Sequence, residues 1–98
     1  MGSTRRFRNS VGPLIRKRRI ELDWSQEQLA AKLQLMGLSL DRASVAKIEA
    51  RIRSVFDFEL AIIARVLNVS ADDLLPSERE LRRLLPMLLE GETTKPGR

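Results

Sequence analysis

The residues of this chain that could do chemistry are cationic. Arg5, Arg6, Arg8, Arg16, Lys17, Arg18 and Arg19 crowd the first nineteen positions with no acid among them, and Arg42, Lys47, Arg51 and Arg53 follow. Guanidinium and ammonium groups at this density suit phosphate or another anionic partner. The net charge of +5 points the same way without naming a fold. Cysteine and histidine are absent. The chain therefore has no thiolate, no imidazole base and no Ser-His or Cys-His pair, and it lacks the commonest zinc ligand. Its acids are scattered among Lys and Arg at helical spacing, as on solvated faces. No enzyme, metal or cofactor is expected. No apolar run approaches a membrane span, and no apolar stretch follows the N-terminal arginines as a leader would require. Met1-Gly2 opens like an acylation signal, but Arg6 stands where Ser or Thr is needed. The expected location is the cytoplasm.

Helices must position these cations, because strand signals are weak and helix punctuation recurs every dozen residues. Pro13 suits a first turn, and Ile15, Arg19 and Leu22 share a face, giving a first helix at about 13–22. Ser25-Gln26-Glu27-Gln28 is a capping box for a second helix with Leu29, Ala30 and Leu33 inward, which Gly37 ends. Asp41 or Ser39 caps a third, with Val45, Ile48 and Ile52 as its apolar stripe. A fourth runs from Phe56 to Leu67, carries Leu60, Ile63 and Ala64 inward, and gives way at Asn68. Ser70-Ala71-Asp72-Asp73 boxes a short fifth that stops at Pro76, and Ser77-Glu78-Arg79-Glu80 opens a last helix broken at Pro86. The expected organisation is all-α. A flexible basic arm covers 1–11, a compact five-helix domain 12–76, an additional C-terminal helical segment 77–90 and a disordered tail 91–98.

Three stretches carry a resemblance. Arg19-Ile20-Glu21-Leu22-Asp23-Trp24-Ser25-Gln26 resembles the junction of the first two helices in Cro/lambda-repressor-type (Xre family) helix-turn-helix proteins. Ala43-Ser44-Val45-Ala46-Lys47-Ile48-Glu49 is similar to that family's recognition helix, and Asn68 to Leu75 to its closing box. The resemblance implies a lambda-repressor-like fold over 12–75 that binds double-stranded DNA. A helix that reads base edges must be apolar behind and short or polar in front. Val45 and Ile48 fit the back. Arg42, Ala43, Ser44 and Lys47 fit the front as base-reading residues, Arg42 toward guanine and Ala43 toward a thymine methyl. The family implies a phosphate contact for Gln26, helped by the helix N-terminus. Arg16, Arg18, Arg51 and Arg53 are expected to hold the backbone. It also implies a structural ion pair between Arg19 and Glu49, and a packing role for Trp24 in place of nucleobase stacking.

One departure stands out. From Ala30 to Val45 the chain is about five residues longer than the family pattern, with Gln34 where the tight-turn Gly belongs. An extended second helix and a lengthened connection follow. Leu35, Met36, Leu38 and Leu40 there are expected either to cover the core or to form a contact surface. Leu81, Leu84, Leu85, Leu88 and Leu89 make an apolar stripe too wide for a solvated helix, and the first four are candidates for a dimer contact. The expected function is sequence-specific DNA binding by a transcriptional regulator, repression ahead of activation, as a homodimer on a palindromic operator. The rival is an interaction module that binds a protein partner through the last helix or the Leu35–Leu40 insertion.

Overall fold

A computed structural model of the chain describes residues 6–89. The expected tail at 91–98 and the first five residues of the expected arm lie outside the described residues. The described residues form α1 (Gly12–Glu21), α2 (Gln26–Leu35), α3 (Arg42–Glu49), α4 (Asp57–Val66), a single 3₁₀ turn (Ala71–Leu74) and α5 (Glu78–Leu89). The fifth expected helix of the domain is thus only that turn. Ser70 caps it, the hydroxyl accepting from the Asp73 amide and the Asp73 carboxylate accepting from the Ser70 amide. The Ser25–Gln28 box closes reciprocally at 3.0 and 2.7 Å.

The core collects one apolar stripe from each element. Ile15 comes from α1, Leu29 and Leu33 from α2, Val45 and Ile48 from α3, and Ile63 from α4, followed by Leu67 and Leu74. All eight are essentially removed from solvent, and each such burial stabilises by roughly 1.5–3 kcal/mol. Trp24 packs on the edge of this core, under the Lys32 ammonium. Leu38 and Leu40 of the lengthened connection pack there too, while Leu35 stays 87% exposed and Met36 half out.

Four helices end in the same way. Asp23, Gly37, Arg51 and Asn68 each take a positive φ one residue past the cap. At each, the next two amides reach back to the last turn: Asp23 to Ile20 and Trp24 to Arg19, Gly37 to Gln34 and Leu38 to Leu33, Arg51 to Ile48 and Ile52 to Lys47, Asn68 to Arg65 and Val69 to Ala64. These are Schellman turns, which satisfy carbonyls the helix leaves orphaned. Because α3 ends at Glu49, Ile52 leaves the expected stripe and is exposed.

Two expectations need correction. Residues 6–11 do not hang free. The Phe7 amide donates to the Met87 carbonyl at 2.9 Å and the Arg8 amide to the Arg51 carbonyl at 2.8 Å. Asn9 is buried, its oxygen accepting from Val11 and Gly12 at the head of α1 and its nitrogen donating to the Ile48 and Arg53 carbonyls. Gly12 permits this seat, since a Cβ there would strike the carbonyl oxygens of Ile48 and Glu49. Nor does Pro86 break the last helix. α5 runs on through it, because a single proline removes one amide donor and can be carried as a local distortion. Leu84 alone of the stripe is buried against the domain, whereas Leu81, Leu85 and Leu89 stay 37%, 40% and 66% exposed.

Candidate nucleic-acid interface

α3 is amphipathic as a reading helix has to be. Asp41 caps it, accepting from the Ser44 amide at 2.8 Å. Hydrogen bonds from Ser44, backbone first and hydroxyl second, hold the Asp41 carboxyl below the usual carboxylate range. Val45, Ile48 and Glu49 point inward, while Arg42, Ala43 and Lys47 are exposed and Ser44 is half-buried. The cleft between α2 and the start of α3 is lined by Ala30, Ala31, Gln34, Arg42 and Ala43 together with the carboxylates Glu27 and Asp41. Small side chains leave room there for another molecule's surface.

Behind the exposed face lies a polar network. Arg19 grips Glu49 with two bonds, Nε to Oε2 at 2.7 Å and Nη2 to Oε1 at 3.0 Å. The two side chains are 10% and 3% exposed. Arg19 also donates from Nη1 to the Trp24 carbonyl at 2.6 Å, tying in the turn between α1 and α2. The hydrogen bonds of Glu49 hold the guanidinium pKa above its ordinary value against the opposing effect of burial. Gln26 Nε2 donates to Glu49 Oε1 at 3.0 Å, and Arg42 Nη1 donates to Gln26 Oε1 at 3.3 Å. Sequence reasoning paired Arg19 with Glu49 but did not foresee that Gln26 and Arg42 continue the same network.

The cations expected on the backbone fare differently. Arg16 is exposed, one turn before Arg19 on the same side of α1. Arg18 points elsewhere: its Nε donates to the Leu67 carbonyl at 2.9 Å, capping the end of α4, and Nη1 leans on Glu21 at 3.5 Å. It lies beside Val69 and Leu74, away from Gln26 and Arg42. Arg51 stacks over the Phe7 ring, 3.9 Å from its centroid, and stays half-buried.

Arg53 is engaged within the protein. Nη1 and Nη2 donate to the two oxygens of Glu59 at 3.0 and 3.1 Å, and Nη1 also donates to the Ser54 carbonyl. Glu59 is 6% exposed on its side chain and accepts from the Phe56 amide at the head of α4. The bonds from Arg53 hold its carboxyl below the usual range, aided by the Phe56 amide and opposed by burial. This second pair, with Glu59 buried and Arg53 partly buried, was missed. Glu59 stands three residues after Phe56, the return position of a capping box, but Phe56 lacks the acceptor that makes a box visible in sequence. Asn9 was missed as well.

Comparisons with known proteins agree with this fold. The family profile described as helix-turn-helix matches residues 15–74, from α1 through the 3₁₀ turn. No curated protein matches the chain. Among solved structures, the restriction-modification controller protein C.AhdI from Aeromonas hydrophila is 29% identical with a TM-score of 0.58, over 66% of this chain and 87% of its own. The hypothetical transcription factor NHTF from Neisseria is 26% identical with a TM-score of 0.59, over 86% and 94%. Hydroxypropylphosphonic acid epoxidase from S. wedmorenis is 26% identical with a TM-score of 0.60, over 74% of this chain but only 36% of its own, so the likeness is to one part of that enzyme. Among the described residues no helix is long and apolar enough to cross a membrane.

Proposed function

The chain belongs to the Cro/lambda-repressor-type (Xre) helix-turn-helix family, and from that premise we propose that it reads a specific double-stranded DNA sequence with α3 as a transcriptional repressor. The observation that carries the reading is the two-sided character of α3: Val45 and Ile48 are locked in the core while Arg42, Ala43 and Lys47 stand outside, Arg42 beside the N-terminus of α2. In the major groove Arg42 would meet guanine, Ala43 a thymine methyl, and Lys47 guanine or phosphate. The Ser44 hydroxyl contributes at the edge, since it also serves Asp41. Arg16, Arg51 and Arg8, which the N-terminal segment sets beside Arg51, would hold the backbone. Arg18 and Arg53 are withdrawn from that role because their guanidinium groups are engaged with Leu67 and Glu59. The similarity to a controller protein and to a transcription factor over most of their lengths supports a regulator and not a catalyst.

The repressor acts in the cytoplasm as a homodimer on a palindromic site. The support is the exposed row Leu81, Leu85 and Leu89 on α5, with half-buried Leu88 beside it. An isologous contact through this row would set two α3 helices on two half-sites. Leu84, turned into its own domain, drops out of the dimer candidates.

Site selection from random DNA, followed by gel-shift titration over a salt series, tests the DNA reading. One enriched motif is expected, with log affinity falling linearly against log salt as phosphate counterions are released. Failure to enrich any sequence, with affinity flat from low to physiological salt, overturns it.

A further inference from the structure

We infer that Gln26 is a positioning residue for Arg42: an acceptor clamp whose polarity is set by Glu49, in place of the phosphate ligand that its location suggests. The inference rests on the base-reading role of α3.

The argument is one of hydrogen-bond sign. The buried carboxylate of Glu49 can only accept, and Arg42 can only donate. Gln26 touches both, at 3.0 and 3.3 Å. Its amide must therefore give nitrogen to Glu49 and turn oxygen toward Arg42; the reverse orientation would set two acceptors together on one side and two donors on the other. Glu49 is itself fixed by two bonds from Arg19, and Arg19 by the Trp24 carbonyl. A rigid line of bonds thus runs from the turn between α1 and α2 to a guanidinium on the exposed face.

Two consequences follow. The outward atom of Gln26 is an acceptor, so it repels a phosphate oxygen, and only one Nε2 proton is left to donate. Arg42 gives up a single N–H and keeps donors on Nε, Nη1 and Nη2, enough for bidentate contact with the O6 and N7 of guanine. An exposed arginine is otherwise free to sweep many rotamers, and holding it before DNA arrives reduces the ordering cost of the contact.

The test uses the full chain and four variants: Arg42→Ala, Gln26→Met, Gln26→Glu and the double variant Arg42→Ala with Gln26→Met. Each is checked for folding by circular dichroism and titrated on the selected site, on that site with the guanine replaced, and on random DNA. Arg42→Ala is expected to lose about five- to hundredfold discrimination at one base pair per half-site. Gln26→Met should lose about three- to tenfold at the same base pair while binding random DNA as the parent does. It should add nothing once Arg42 is gone. Gln26→Glu, which keeps an acceptor for Arg42 but turns a second carboxylate on Glu49, should lose the discrimination as Gln26→Met does. If Gln26→Met weakens all DNA alike and adds fully to Arg42→Ala, Gln26 is a phosphate ligand and the clamp is refuted while α3 still reads bases. If Arg42→Ala leaves base preference untouched, the base-reading role itself fails and the clamp with it.

Discussion

α3 and α5 are both short amphipathic helices with basic residues on their outer faces, yet they are held by different means. Besides the buried Val45 and Ile48, α3 and the loop after it are fixed by buried and partly buried polar groups: Arg19 on Glu49, Asn9 on the Ile48 and Arg53 carbonyls, and Arg53 on Glu59. α5 is held by one buried leucine, Leu84, and one backbone bond from Phe7 to Met87. Its own ion pairs, Glu78 with Arg82 and Glu80 with Arg83, lie on the surface, where such pairs contribute about 0–1 kcal/mol. Hydrogen bonds are directional and an apolar contact is not. A helix that must meet base edges at a set angle gains from the first kind of restraint. A helix that only has to present an apolar row does not need it.

The comparison is most exposed to failure at Glu49. Glu49→Ala leaves Arg19 buried without its partner and removes the acceptor behind Gln26, at an expected cost of about 3–5 kcal/mol. Thermal unfolding followed by Trp24 emission measures it. A loss no larger than that of Glu80→Ala would make the buried and surface pairs equivalent and dissolve the contrast.

Next in size is the pair of neighbours Leu84 and Leu85. Leu84→Ala opens a cavity between α5 and the domain and should cost about 2–3 kcal/mol. Leu85→Ala removes an exposed side chain and should cost less than about 0.5 kcal/mol in the monomer. Unfolding at two protein concentrations, alongside sedimentation, sharpens the point. A Leu85→Ala penalty that grows with concentration means a second copy covers the row. Equal penalties at every concentration would mean that α5 is packed on its own domain along both leucines.

What could be read from sequence follows from how local each signal is. Ser25, Asp41 and Ser70 are seen because a cap and its target lie three residues apart. Gly37 and Asn68 are seen because their residue types favour a positive φ. Asp23 and Arg51 end helices by the same turn, and no residue preference announces an arginine there. Arg19 and Glu49 are thirty residues apart and were paired only through the family resemblance. Asn9 contacts residues about forty positions away, and nothing in a basic N-terminal stretch marks it. Arg53 was assigned to phosphate by its charge and its place after the recognition helix. Charge shows that a side chain wants an anion, but not whether the anion is DNA or Glu59. Pro86 was given a breaking power that holds for an isolated helix and not for one already anchored at Leu84.

The smallest expected effect is the acid response of the carboxylates that hold α3 and the loop after it. Glu59 has a folded pKa below its ordinary value because Arg53 and the Phe56 amide bond its charged form. The unfolded chain titrates it near the ordinary value, about 4.3. A group depressed on folding contributes its full stability above the unfolded pKa and loses that contribution as pH falls through it toward the folded one. The unfolding midpoint should therefore be level from pH 7 to about 5 and decline below about 4.5. Asp41, lowered by Ser44, acts in the same direction. Glu59→Gln should lower the plateau by about 1–2 kcal/mol and flatten the acid decline, and adding Asp41→Asn should flatten it further. Were Glu59→Gln to leave the decline intact, the acid-sensitive restraint would lie outside the Arg53–Glu59 pair. The loop after α3 would then be held no more firmly than the C-terminal helix.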